Sequence, residues 1–259
     1  MTDSQPVALV TGSGRRRVGN VIATSLAKAG YTIALHYHRS AEAARESVDE
    51  IKRFGVACQS FQADLGVEAE ANDLVDAVVD RFKRIDVLVT TASIWDAVPL
   101  EEVTTEVLLQ NFQVNTLGTF FCARRAGLAM CRQPDGGSIT VIGDWAIQRP
   151  YRDFIAYFIS KGTIPTMTRA LAVELAHRNP RVRVNCIHPG PVMIPPDTVE
   201  AEREMLIEST LTKTADCPDA VAQAVHFFVQ NQFVTGTCLP VDGGRSIYSP
   251  ESETRKRPI

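Results

Sequence analysis

Tyr157 and Lys161 stand four residues apart in Tyr157-Phe158-Ile159-Ser160-Lys161. On a helix, side chains at i and i+4 share one face. An ammonium beside a phenol favours the tyrosinate and lowers its pKa toward working pH, which suits the hydroxyl to proton transfer. The spacing alone arises by chance in many helices. A second segment makes it more specific. Thr11-Gly12-Ser13-Gly14-Arg15-Arg16-Arg17-Val18-Gly19 follows the apolar run Val7-Ala8-Leu9-Val10 and opens a helical pattern. A strand that ends in a Gly-rich turn at a helix N-terminus is an anion site, because backbone N–H groups and the helix dipole face the ligand. Together the two segments describe a dinucleotide cleft beside a proton-transfer pair.

The next strand discriminates between dinucleotides. An NAD site places an acid near its end, to take the ribose hydroxyls. Here it ends Leu35-His36-Tyr37-His38-Arg39-Ser40, without one. Arg39, with one or more of Arg15, Arg16 and Arg17, is placed to clamp a 2′-phosphate, so NADP is expected over NAD. His36 and His38 alternate along the strand, face opposite sides and form no metal pair.

These groups need a scaffold, and short β-branched runs alternating with helical patterns supply it. Strands are predicted at Val7–Val10, Thr32–Leu35, Cys58–Gln62, Ile85–Val89, Ser138–Ile142 and Arg183–Ile187. Helices are predicted at Val21–Ala29, Ala41–Phe54, Leu74–Phe82, Val107–Met130 and Phe154–His177, the last kinked or broken at Pro165. This is the alternation of an α/β, Rossmann-like, doubly wound parallel sheet in three layers and a single domain. The domain is expected to span 1–248, with a substrate loop at about 190–213 and a polar tail at 249–259.

The bulk properties remove other classes. The chain has 259 residues, 45% hydrophobic and 22% charged, an ordinary globular composition. Its net charge of -3 argues against general nucleic-acid binding. No apolar run reaches the ~18 residues a membrane helix needs, and no basic region precedes the first apolar stretch as in a signal peptide. Six cysteines without a CxxC pair or zinc-like spacing suggest reduced thiols, no metal and a cytoplasmic protein.

The chain resembles the short-chain dehydrogenase/reductases over nearly its whole length. The matching residues are Thr11-Gly12 through Gly19, Asp64-Leu65, Asn115, Tyr157-x-x-x-Lys161, Pro189-Gly190 and Val241-Asp242-Gly243-Gly244. The resemblance implies that Lys161 holds the nicotinamide ribose and tunes Tyr157, that Asn115 kinks its helix and holds a water, and that Asp64 contacts the adenine. It assigns cofactor contact to Gly12, Gly14, Arg17, Val18, Gly19, His38, Arg39, Ser40, Asp64, Leu65, Ala92, Ser93, Tyr157, Lys161, Pro189 and Gly190. The helical patterns from Val107 and Phe154 would be contacts of a homotetramer.

A narrower resemblance bears on the substrate. Most of the family has a serine thirteen positions before the tyrosine, but Asp144 occupies that place here. In this the chain is similar to the pteridine reductases and dihydromonapterin reductases, as it is in His36–Ser40 and in Ala92-Ser93-x-Trp95. The likeness implies that Trp95 sandwiches a pterin against the nicotinamide and that Ser93 hydrogen-bonds the pterin or a cofactor phosphate. It also implies that a turn arginine, Arg17 foremost, reaches both cofactor and substrate. A carboxyl group beside the tyrosine can accept from a pterin's N–H groups, and a flat indole suits a flat heterocycle.

Four features depart from the family pattern. The phosphate turn is one residue longer than usual, Thr90-Thr91-Ala92-Ser93 replaces Asn-Asn-Ala-Gly, Pro165 interrupts a helix, and the segment after Gly190 is apolar and lacks the usual threonine. The expected function is an NADPH-dependent pterin, possibly folate, reductase. A general carbonyl or 3-oxoacyl reductase and a non-catalytic NADP-binding regulator are the alternatives.

Overall fold

The computed structural model describes residues 5–248. The tail expected from 249 lies outside the described residues. Seven strands form one parallel sheet: β1 (Val7–Thr11), β2 (Thr32–Tyr37), β3 (Cys58–Gln62), β4 (Val87–Thr90), β5 (Gly137–Ile142), β6 (Val182–Pro189) and β7 (Cys238–Val241). They lie in the order β3-β2-β1-β4-β5-β6-β7. Strands β1 and β4 are buried on both faces, which is why they read as continuous apolar runs rather than alternating ones.

Helices α1 (Val18–Lys28), α2 (Ala41–Lys52), α3 (Glu68–Phe82), α4 (Thr105–Asn111), α5 (Thr119–Met130), α6 (Ile155–Gly162), α7 (Ile164–Ala176), α8 (Glu200–Glu208) and α9 (Pro218–Gln230) connect the strands. One core packs α3, α5 and α7 on the sheet through residues such as Leu74, Met130 and Leu175. The other packs α1, α2 and α9 through Ile22, Ile51 and Phe228. The order reverses between β1 and β4, and a doubly wound sheet opens its ligand crevice at that switch, beyond the strands' carboxyl ends.

Several boundaries differ from the sequence reading. The helical pattern 107–130 is three pieces, because Phe112–Gly118 forms a π-helical segment between α4 and α5. The pattern 154–177 is broken at Thr163, with Pro165 in the first turn of α7 as expected of a proline. Helix α3 starts at Glu68, six residues before the predicted start. The sequence reading proposed no element for α8, α9 or β7.

Candidate active site

The N-terminal part of the site is made by backbone. Gly12 has φ +65°, and a Cβ there would lie 2.8 Å from the Cα of Ala92, so the turn needs glycine twice over, for its conformation and for close approach. His36, buried on β2, braces the turn: its Nδ1 accepts from Gly12 N–H at 3.0 Å and its Nε2 faces the Ala63 carbonyl at 3.0 Å. Burial holds the His36 pKa down at about 4, so the ring is neutral and can serve as acceptor and donor at once.

A cleft of about 660 Å³ opens over this turn. Its lining includes Gly12, Gly14, Arg15, Arg17, His38, Arg39, Ser40, Asp64, Leu65, Ala92 and Ser93. Arg16 instead turns outward to Glu50, with 3.0 Å between Nη2 and Oε1. The turn thus offers two of its three arginines to the cleft. Val18 and Gly19 lie behind it, as the first residues of α1. Gly190, also outside the lining, donates its N–H to the Val241 carbonyl at 2.9 Å, tying the end of β6 to β7. A basic cleft at a helix N-terminus fits the phosphates of a nicotinamide dinucleotide.

The second part of the site is made by side chains. Tyr157, on α6, donates its hydroxyl to Asp144 Oδ2 at 2.6 Å. Asp144 is also the N-cap of a short 3₁₀ turn, its Oδ1 accepting from Ala146 N–H at 2.7 Å. Lys161 is buried below them and donates to the Ile142 carbonyl at 2.9 Å. Its pKa is lowered by burial, which Asp144 opposes. Sequence reasoning expected the lysine to pull the phenol pKa down, but the structure reverses this. Burial first, and then the Asp144 carboxylate, raise the Tyr157 pKa, while the ammonium stays 5.9 Å from the ring centroid. Tyr157 is therefore a proton-loaded phenol.

Asn115 lies within the π-helical segment, as its expected helix distortion requires. Its side chain is fully engaged. Oδ1 accepts from Ser93 Oγ at 3.0 Å and Ile94 N–H at 2.9 Å, and Nδ2 donates to Ser160 Oγ at 3.0 Å and the Ile94 carbonyl at 3.1 Å. The amide acts as a tie between the β4 loop and α6. Ser93, expected to face ligand, lines the cleft and donates its hydroxyl to that same amide. Thr90, in the place of the first asparagine of the family pattern, has a buried hydroxyl with no partner among the described residues. Thr91 does the tying instead, with Oγ1 donating to the Thr11 carbonyl at 2.5 Å.

Trp95 is half exposed, stacked on Phe154 at 4.8 Å, and donates Nε1–H to the Tyr151 hydroxyl at 3.0 Å. Ring contacts run on from Phe154 through Tyr151 and Phe158 to Tyr157. Trp95 is thus joined to the tyrosine by an aromatic wall. Sequence reasoning missed Trp145, Tyr151, Phe154 and Arg245 in this region. The Arg245 guanidinium lies 4.3 Å over the Trp145 ring. Trp145 directly follows Asp144 and Arg245 directly follows Gly244, so adjacency to the two motifs was the available signal.

Comparison with known proteins identifies the family and the fold. The sequence family described as enoyl-(acyl carrier protein) reductase matches residues 13–246. Glucose 1-dehydrogenase 2 of Bacillus subtilis is 31% identical over 95% of this chain and 96% of its own. Versicolorin reductase of Emericella nidulans is 31% identical over 92% of this chain and 94% of its own. A dehydrogenase/reductase of Sinorhizobium meliloti superposes with a TM-score of 0.84 at 32% identity, covering 93% of this chain and 94% of that one. The chain belongs to the short-chain dehydrogenase/reductase family. It is an oxidoreductase of that family, using a nicotinamide cofactor. No helix among the described residues is long and apolar enough to cross a membrane.

Proposed function

We propose that the chain is an NADPH-dependent reductase of a pterin-like ring, with Tyr157 giving a proton to ring nitrogen. One observation carries this reading: the 2.6 Å bond from Tyr157 to Asp144. A serine hydroxyl in that place would steer the phenol but add no charge. A carboxylate there also accepts from the amino and ring N–H groups of a diaminopyrimidinone, so it can orient substrate and proton donor together. The nicotinamide, when bound, supplies the hydride.

The other roles follow from position. Arg17 and Arg39, with Arg15 and Ser40, face the cleft where no acid closes β2, which supports a 2′-phosphate and hence NADP. Lys161 takes the nicotinamide ribose, Asp64 the adenine, and Asn115 keeps the β4 loop and α6 in register. Trp95 and its aromatic wall favour a flat substrate. Leu109 on α4 and Ile155 and Ile159 on α6 stand exposed, which supports a homo-oligomer joined through those helices.

A second reading, reduction of a planar ketone, draws on two observations. Versicolorin reductase is among the relatives. Val192 and Ile194, in the apolar stretch after Gly190, are buried. The experiment is NADPH and NADH oxidation with dihydrobiopterin or dihydromonapterin against polycyclic ketones, for the wild type and Asp144→Ser. The proposal expects a preference for NADPH, pterin turnover, and a loss of about 100-fold in that turnover on substitution. Turnover confined to ketones, with Asp144→Ser mild, would replace the pterin by the second reading.

A further inference from the structure

Cys186 and Cys238 face one another across the last pair of strands. They are directly opposed in the parallel register of β6 and β7, so both side chains leave the same face of the sheet. Neighbouring strands run roughly 4.8 Å apart, within the Cα separation a disulfide accepts. Both sulfurs and a ring nitrogen of His188 lie within 4.8 Å of one another. Cys186 is buried, whereas Cys238 is partly exposed. The sequence gives no hint of this cluster, because 52 residues separate the two cysteines.

The histidine's state decides what the cluster is for. Asp144 N–H donates to His188 Nδ1 at 3.1 Å. Nδ1 is then an acceptor, and a neutral ring must carry its proton on Nε2. Nε2 lies 3.8 Å from Cys186 Sγ. Nδ1 stands 3.9 Å from the same sulfur, and with its lone pair taken by the Asp144 N–H the neutral ring keeps none for a metal ion. Cys186 beside it, opposed by burial and aided by His188, lowers the Cys238 pKa below the ordinary thiol value. The closeness of Cys238, with burial, raises the Cys186 pKa. The partly exposed sulfur is thus the one biased toward thiolate and the buried one beside it the one biased toward thiol, the division of labour that two-cysteine oxidation requires.

We propose that Cys238 and Cys186 form an oxidation site for hydroperoxides. The Cys238 thiolate attacks one peroxide oxygen; the O–O bond breaks, hydroxide leaves and takes up a proton as water, and Cys238 becomes a sulfenic acid. The Cys186 sulfur then attacks the Cys238 sulfur. The S–S bond forms, the S–O bond breaks, and hydroxide leaves with the Cys186 proton as a second water. Two thiols are oxidised by two electrons and the peroxide is reduced to two waters. The new bond lies two residues from His188, whose ring holds the Asp144 N–H and packs so tightly against Gly143 that a Cβ there would collide with it. Oxidation is therefore read out directly behind the Tyr157–Asp144 pair.

The test is covalent and independent of the substrate. The full chain is treated with limiting hydrogen peroxide, and its intact mass and non-reduced peptides are analysed. The expected result is a loss of two hydrogens, a Cys186–Cys238 cross-linked peptide, and reversal by dithiothreitol. Cys238→Ser should slow thiol oxidation at least tenfold, and Cys186→Ala should leave Cys238 as a sulfenic acid that dimedone traps. Because the wild-type map needs no variant, misfolding of either does not shield the proposal. First oxidation at the partly exposed Cys131 or Cys217, a Cys238→Ser protein that oxidises at the wild-type rate, or stoichiometric zinc in the purified protein would each overturn it.

Discussion

The two ends of this site are built by different means. At the nucleotide end, Gly12, Gly14 and the start of α1 come from one stretch of chain, and position follows from local backbone conformation. At the reaction end, each functional side chain is set by a partner distant in sequence. Asn115 holds Ser160 across 45 positions, His188 holds the Asp144 N–H across 44, and Tyr157 reaches Asp144 across 13. The phosphate turn is a property of a motif, whereas the acid–phenol pair is a property of the assembled fold. Substitutions should therefore act differently at the two ends.

The largest expected effect is at the reaction end. Tyr157→Phe removes the phenolic proton and keeps the ring contact with Phe158. Turnover should fall by about 10²–10⁴-fold, the usual worth of a positioned proton donor. NADPH affinity, measured by fluorescence titration, should stay within about twofold, because the cleft that binds the nucleotide is built elsewhere. Loss of affinity in step with turnover would show that the two ends are not separable. Cofactor binding without turnover in the wild type, with Tyr157→Phe indistinguishable from it, would instead favour a cofactor-binding regulator.

At the nucleotide end the expected effect is on stability and depends on pH. His36 has its pKa lowered from 6.5 to about 4, burial outweighing its bond to the Ala63 carbonyl. Between those values the unfolded chain binds more protons than the folded one. The contribution of His36 is therefore complete above about pH 6.5 and is lost as pH falls toward 4, a change of roughly 3 kcal/mol. His36→Asn should be less stable at neutral pH and show a shallower decline in urea-unfolding free energy between pH 6.5 and 4.5. Parallel declines in the two proteins would mean that His36 does not brace the turn as a neutral ring.

This contrast also explains what could be read from the sequence. The parallel sheet, the phosphate turn, the missing acid after β2 and the Tyr157–Lys161 spacing depend on nearest neighbours along the chain, and each was legible. The π-helical segment at Phe112–Gly118 was not, since an i→i+5 turn keeps a helical hydrophobic pattern. Which turn arginines face the cleft was also hidden, because the answer lies with Glu50, on α2. The pKa of Tyr157 was misjudged for a related reason. Spacing put the lysine on the same face but said nothing of burial, or of Asp144 receiving the proton bond. Trp95 shows the same limit: its type suggested a stacking surface, and only the fold supplies Phe154 and Tyr151 as its neighbours.

The smallest effect should come from the residue that looks most disruptive in sequence. Pro165 follows Lys161 by four positions, and in an unbroken helix it would take a hydrogen bond from the Lys161 carbonyl. In the fold it sits in the first turn of α7, where its missing N–H would have had no helical partner in any case. The break at Thr163 has other supports. Thr116 Oγ1 and Thr163 Oγ1 both donate to the Ser160 carbonyl, at 2.9 and 2.7 Å. Those bonds satisfy the helix end from the π-helical segment and from Thr163 itself, so the break should survive without the proline. Pro165→Ala should change unfolding free energy by less than about 1 kcal/mol and turnover by less than about twofold. A tenfold fall in turnover at unchanged stability would show instead that the proline itself sets the height of Lys161 beneath Tyr157, and local backbone would then govern the reaction end as it governs the nucleotide end.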